Sequence, residues 1–301
     1  MKMISASSRS SERNRIVCLT LAACLVATLL SGCFREATPR DKETDSTERA
    51  PAASAADTSI AVTDTSAAVT AEKTDTAQPE IPAPDTDSYF ANSLFIGDSV
   101  MEGISRYVRS QRNKGEKMLA DAKFLTDVSG IRIADLVEDT TDDRIRYQYK
   151  GKAQELSAIL ADIKPSRIFL FLGMNDLSFG YTAEDTISRY KRLIGLLQKE
   201  CPDVHLVVMT VTPKTDSQYL PWYCKNKDFG SPLLNSFAEA LMEFCRDNQL
   251  DCVDANAAVR DEKGHLPAEY SGDGYIHLND AGAARLIGAL QDFARQEMSE
   301  S

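Results

Sequence analysis

The chain has 301 residues, 43% of them hydrophobic, and its 45 Asp and Glu outweigh 34 Lys and Arg to leave a formal net charge of −11. That balance repels a phosphate backbone and disfavours nucleic acid as a partner. The three histidines, His205, His265 and His277, and the cysteines form no grouping at zinc-ligand spacing, so neither a metal nor another cofactor is expected.

The first residues carry Lys2, Arg9, Arg13 and Arg15 ahead of an uncharged apolar run from Ile16 to Leu30. This is the charge order and length of a signal sequence, and the run is shorter than the roughly 20 apolar residues of a membrane span. It ends in Leu30-Ser31-Gly32-Cys33, which resembles a bacterial lipobox. The resemblance implies cleavage before Cys33, acylation of its thiol, and a membrane anchor facing the cell wall or periplasm. Residues 33–88 follow, rich in Ala, Thr, Ser, Asp and Pro and almost without large apolar residues, so they read as a disordered tether. A flexible coil of about 55 residues spans roughly 40 Å root-mean-square.

Residues 89–301 have the size and mixed composition of one domain. Leu94–Ile96, Arg167–Leu172 and His205–Met209 are short apolar runs of the kind expected for strands buried on both faces, and Lys123–Leu125 and Leu250–Val253 are weaker candidates. Thr182 and Asp185 form a capping-box pattern ahead of Ile187, Tyr190, Ile194 and Leu197 at helical spacing. A last helix is expected to start near Asn279, with Ala284, Leu286, Ile287, Leu290 and Phe293 inward. Strands alternating with helices imply an α/β fold with a mostly parallel sheet covered on both faces, and ligands bind beyond the carboxyl ends of such strands.

The loops at those ends carry the chemistry. Gly97-Asp98-Ser99-Val100 places a hydroxyl on a tight strand-to-helix turn, where helix amides face a developing anion. The loop Val128-Ser129-Gly130-Ile131 offers a glycine whose backbone can approach a ligand. Leu172-Gly173-Met174-Asn175-Asp176 presents an amide donor from Asn175, and Asp273-Gly274-Tyr275-Ile276-His277 places a carboxylate and an imidazole in one loop. Each piece alone also reads as a turn or a cap. His265 reads as a surface-loop residue. The aromatic segment from Thr212 to Phe229, with Tyr219, Trp222 and Tyr223, suits either substrate contact or lid packing. Cys201, Cys224, Cys245 and Cys252 permit three disulfide pairings, but Cys245 shares an apolar helical face with Phe237, Leu241 and Phe244 and reads equally as a buried thiol.

Taken together and in order, the four loops resemble the four sequence blocks of the SGNH/GDSL hydrolases. The resemblance implies a flavodoxin-like three-layer α/β/α sandwich with about five mostly parallel strands. It implies that Ser99 attacks an ester carbonyl, that His277 takes its proton, and that the Ser99 amide, Gly130 and Asn175 form the oxyanion hole. The family sets its orienting Asp three residues before the His, but Gly274 stands there and Asp273 lies four before. Either a bulged turn brings Asp273 to the imidazole, or the site is a Ser-His dyad oriented by a backbone carbonyl or water. The expected function is an esterase removing small acyl groups, such as acetyl, from extracellular glycans or cell-wall polymers. A lysophospholipase, a thioesterase, an acyltransferase or an inactive glycan-binding lipoprotein are the alternatives.

Overall fold

The computed structural model describes residues 85–138 and 146–300. The signal sequence, Cys33 and most of the tether lie outside the described residues. Thr86–Ser88, expected in the tether, belong instead to a 3-10 turn, Thr86–Phe90, that buries Tyr89 and Phe90.

Five strands make the central sheet: β1 (Ser93–Gly97), β2 (Lys123–Leu125), β5 (Arg167–Phe171), β6 (His205–Met209) and β7 (Asp251–Val253). All are parallel, in the order β2-β1-β5-β6-β7. A separate antiparallel hairpin joins β3 (Tyr147–Tyr149) to β4 (Lys152–Gln154). The eight α-helices among the described residues are α1 (Ser99–Asn113), α2 (Ile133–Val137), α3 (Leu156–Ile163), α4 (Met174–Ser178), α5 (Ala183–Glu200), α6 (Ser231–Asp247), α7 (Ala255–Val259) and α8 (Asp280–Glu300). α8 packs with α1 and α7, and α5 packs with α2, α3, α4 and α6, in a three-layer α/β/α arrangement. The strand runs read from the sequence are all present, including the two weaker ones.

Aromatic rings hold the register of β2, β1 and β5. Phe95 of β1 is paired with Phe124 of β2 and with Phe169 of β5. Its ring stacks on both, at centroid distances of 4.9 and 4.4 Å and interplanar angles of 15° and 7°. A slip of one residue would turn each side chain to the other face of the sheet. β1 is buried at every position, as expected for a strand covered on both sides.

Local signals set the helix ends. The Thr182 hydroxyl accepts from the Asp185 amide at 3.0 Å and the Asp185 carboxylate accepts from the Thr182 amide at 3.3 Å, the expected capping box. Asn279 caps α8 through a 3.0 Å bond from the Gly282 amide. Ala284 is exposed, contrary to expectation, while Ala283 is buried. Ala283 lies three, four and seven residues before Leu286, Ile287 and Leu290, so helical periodicity puts it on their face and turns Ala284 outward.

Replacing Phe169 by Ala would remove a fully buried ring from the closer of the two stacked pairs. We expect a loss of about 3 to 5 kcal/mol, read by urea denaturation, and a change within 1 kcal/mol would contradict a register held by this stack.

Candidate active site

The sheet order reverses at β1 and β5, and the crevice at such a switch point is where parallel sheets bind ligands. Ser99 follows β1 and Asn175 follows β5, so the two flank it. Gly97 ends β1 where a Cβ would meet Met101 Cβ at 2.4 Å, which makes glycine obligatory for so close a strand-to-helix turn. Asp98 then caps α1, its carboxylate accepting from the Val100 amide at 3.0 Å. Ser99 is the first helical residue. Its own N–H has no acceptor within the helix and stands at the positive end of the helix dipole.

Loops after β2 and β5 are stitched together. Tyr190 Oη donates to the Leu172 carbonyl at 2.9 Å and accepts from the Leu172 amide at 3.2 Å, clamping the end of β5. Gly173 follows at φ 108°, where an added Cβ would also meet the Phe237 ring at 2.9 Å. Asn175 Nδ2 donates to the Ile131 carbonyl at 3.0 Å, beside Gly130, which is exposed with φ 69°. An amide nitrogen carries two hydrogens, so this bond leaves Asn175 a second donor. Asp176 was not singled out by the sequence. Its carboxylate accepts from the amides of Ile133 and Ala134 at 2.8 and 3.3 Å, which satisfies the N-terminus of α2 and fixes the Gly130 loop against α4. Its only sequence signal is a carboxylate in the short segment that follows the most apolar strand.

The third element is the loop before α8, closed by a bridge between Ser271 and Leu278. Gly274 adopts φ 69° and lets the chain turn over the Asp273 side chain. Asp273 Oδ1 accepts from the amides of Tyr275, Ile276 and His277 at 2.8, 3.1 and 3.2 Å, while Oδ2 lies 2.5 Å from His277 Nδ1. The bulged turn therefore absorbs the extra residue. On the far side of the imidazole, Nε2 stands 3.0 Å from Ser99 Oγ. The His277 and Asp273 side chains each keep 35% exposure, so the site is open to a substrate. Burial pushes the Asp273 carboxyl upward, but the hydrogen bonds from the His277 ring and the Tyr275 amide outweigh it and hold the group below the usual carboxylate value.

His265 lies in the Asp261–His265 turn, half-buried rather than fully at the surface, its amide donating to Asp261 Oδ1 at 2.8 Å. All four domain cysteines are free thiols. Among the described residues one group has the donors for a metal ion: His205, Asp251 and Glu297, with ligand atoms within 4.8 Å of one another. His205 and Asp251 open β6 and β7, at the opposite end of the sheet from Ser99.

The profile of the GDSL-like lipase/acylhydrolase family matches residues 95–285. No curated protein sequence matches the chain. Similar solved structures include a GDSL-like lipase from Bacteroides thetaiotaomicron, at 16% identity and TM-score 0.48, covering 68% of this chain and 88% of that one. An acetyl esterase variant with a bound acetate ion has 13% identity and TM-score 0.47, covering 69% and 98%. A carbohydrate esterase family 3 protein from Talaromyces cellulolyticus has 14% identity and TM-score 0.45, covering 69% and 98%.

Burial pushes the Asp98 carboxyl up to about 6, against the pull of its bonds to α1 amides and of nearby His277. A carboxyl raised in the folded state contributes stability that is present below about 4 and lost as pH rises through about 6. At 1.36 kcal/mol per pKa unit the loss is on the order of 3 kcal/mol. Asp98→Asn keeps a cap acceptor for Val100 and removes the charge, so it should gain stability over the unaltered protein at pH 8 but not at pH 4. Denaturation at both pH values checks this; an equal effect at both would contradict it.

Proposed function

Since the chain belongs to the GDSL-like lipase/acylhydrolase family and is a hydrolase of ester bonds, we propose that Ser99 is its nucleophile, His277 its general base and Asp273 the group that orients the base. The observation carrying this reading is the continuous hydrogen-bonded line from Ser99 Oγ through both ring nitrogens of His277 to Asp273 Oδ2.

An ionised carboxylate only accepts hydrogen bonds, so Asp273 requires the proton to sit on Nδ1 and leaves the Nε2 lone pair to accept from the Ser99 hydroxyl. As Ser99 Oγ bonds to the ester carbon, its proton passes to Nε2, and the imidazolium formed is held by the Asp273 charge. The carbonyl oxygen becomes an oxyanion. The Ser99 amide, the Gly130 amide and the second Asn175 N–H are the donors proposed to receive it. Collapse of the adduct breaks the ester C–O bond, and Nε2 returns its proton to the departing alcohol. Water, deprotonated by the same nitrogen, then releases the acid and restores Ser99.

The reading extends to substrate and place. The proposed substrates are small acyl esters, acetyl above all, on extracellular glycans or cell-wall polymers. The basic leader, apolar run and Cys33 in its lipobox-like setting support an exported protein held on the bacterial membrane by an acylated cysteine, with the acidic tether giving the hydrolase domain its reach.

Ser99→Ala is expected to reduce hydrolysis of 4-nitrophenyl acetate to the uncatalysed background. Asp273→Asn should lower kcat about ten-thousandfold, whereas a rate near that of the unaltered enzyme would leave a Ser-His dyad. Asn175→Ala should lower kcat by roughly a hundred- to a thousandfold, and a change in KM alone would remove Asn175 from the oxyanion site.

A further inference from the structure

The loop between β6 and α6 is braced on both halves of the candidate site. At its start the Thr215 amide and hydroxyl donate to the carbonyls of Tyr275 and Gly274 at 2.9 and 2.8 Å, which ties it to the His277 loop. At its end the amides of Lys225 and Asn226 donate to the Ser178 carbonyl at 2.8 and 3.0 Å, and Asn226 Nδ2 donates to the Leu177 carbonyl at 2.9 Å, which ties it to the Asn175 helix. Between these braces the chain turns aromatic side chains outward. Trp222 is 94% exposed, Tyr219 60% and Tyr223 46%.

Their placement is not random. Trp222 and Tyr223 stand edge to face at 5.8 Å, and Tyr219 stands edge to face at 5.6 Å with Tyr275, two residues before His277. Trp222 is the single tryptophan of the chain, and among the described residues it is the most exposed of the large apolar side chains. A cluster of aromatic faces left in water at the rim of a reactive site marks a surface that something else covers.

We propose that Tyr219, Trp222 and Tyr223 form a glycan subsite, on which the sugar rings of a polymer lie while one of its acyl esters reaches Ser99. The inference rests on the assignment of ester hydrolysis to Ser99 and names the substrate class that the aromatic rim selects. Sugar rings present flat C–H faces to an aromatic plane and hydroxyls to the tyrosine O–H and indole N–H at its edges. A long acyl chain is the poorer fit, because it needs enclosing apolar walls and these side chains are open to water. An anionic membrane surface is disfavoured by the net charge of −11.

The single tryptophan makes the test direct, since intrinsic tryptophan emission reports on position 222 alone. In the full chain carrying Ser99→Ala, which separates binding from turnover, acetylated xylo-oligosaccharides or N-acetylglucosamine oligomers should shift Trp222 emission to the blue with saturation. In the enzyme with Ser99 intact, Trp222→Ala should lower the ratio of kcat/KM on acetylated xylan to kcat/KM on 4-nitrophenyl acetate at least tenfold, with Trp222→Phe restoring most of it. The inference is overturned if neither glycan shifts the emission, if only phosphatidylglycerol vesicles do, or if Trp222→Ala lowers both rates equally. Failure of the intact enzyme to cleave 4-nitrophenyl acetate would instead count against the assignment of Ser99.

Discussion

Three phenylalanine rings, Phe124, Phe95 and Phe169, stack across three adjacent parallel strands and hold those strands at one level. Everything at the carboxyl edge depends on that alignment. The residue after β1 becomes the cap of a helix that begins with Ser99, the loop after β2 carries Gly130, and the loop after β5 carries Asn175. A shift of one residue in any strand would move its loop by about 3.3 Å and turn its side chains over, more than a hydrogen-bonded site tolerates.

The site is held from behind by buried carboxyls. Asp98 organises the first turn of α1 and Asp176 the first turn of α2, and burial pushes both up to about 6. Both carboxyls are less stable as anions in the fold than in water, yet each satisfies backbone amides that would otherwise be orphaned. Asp273 differs: three amides and the imidazole surround it, so its charge is favoured. The protein thus favours the charge on Asp273, which is hydrogen-bonded to the His277 ring, while holding two structural carboxyls close to neutralisation.

Much of this was legible before the fold was known. β1, β5 and β6 stand out because strands covered on both faces are continuously apolar, and the capping box at Thr182 is readable from two side chains. The bulged turn at Gly274 was open to either outcome, because its geometry depends on a left-handed glycine and three amides converging on one oxygen. Other features left little trace. β3 and β4 have three residues each, too few for alternation, and their two-residue turn at Lys150-Gly151 lacks the common Asn-Gly signature. Asp176 acts on amides more than 40 positions away. His205, Asp251 and Glu297 meet only because two strand starts and a helix end share one pole of the sheet.

The central claim is that Ser99 is an activated nucleophile, held so by His277 and Asp273. The most direct measurement is mass spectrometry of the protein after treatment with a fluorophosphonate, which bonds only to a serine whose hydroxyl is being deprotonated. The account predicts one adduct, mapped to Ser99 and absent after His277→Ala. No adduct, or an adduct on another serine, would contradict it.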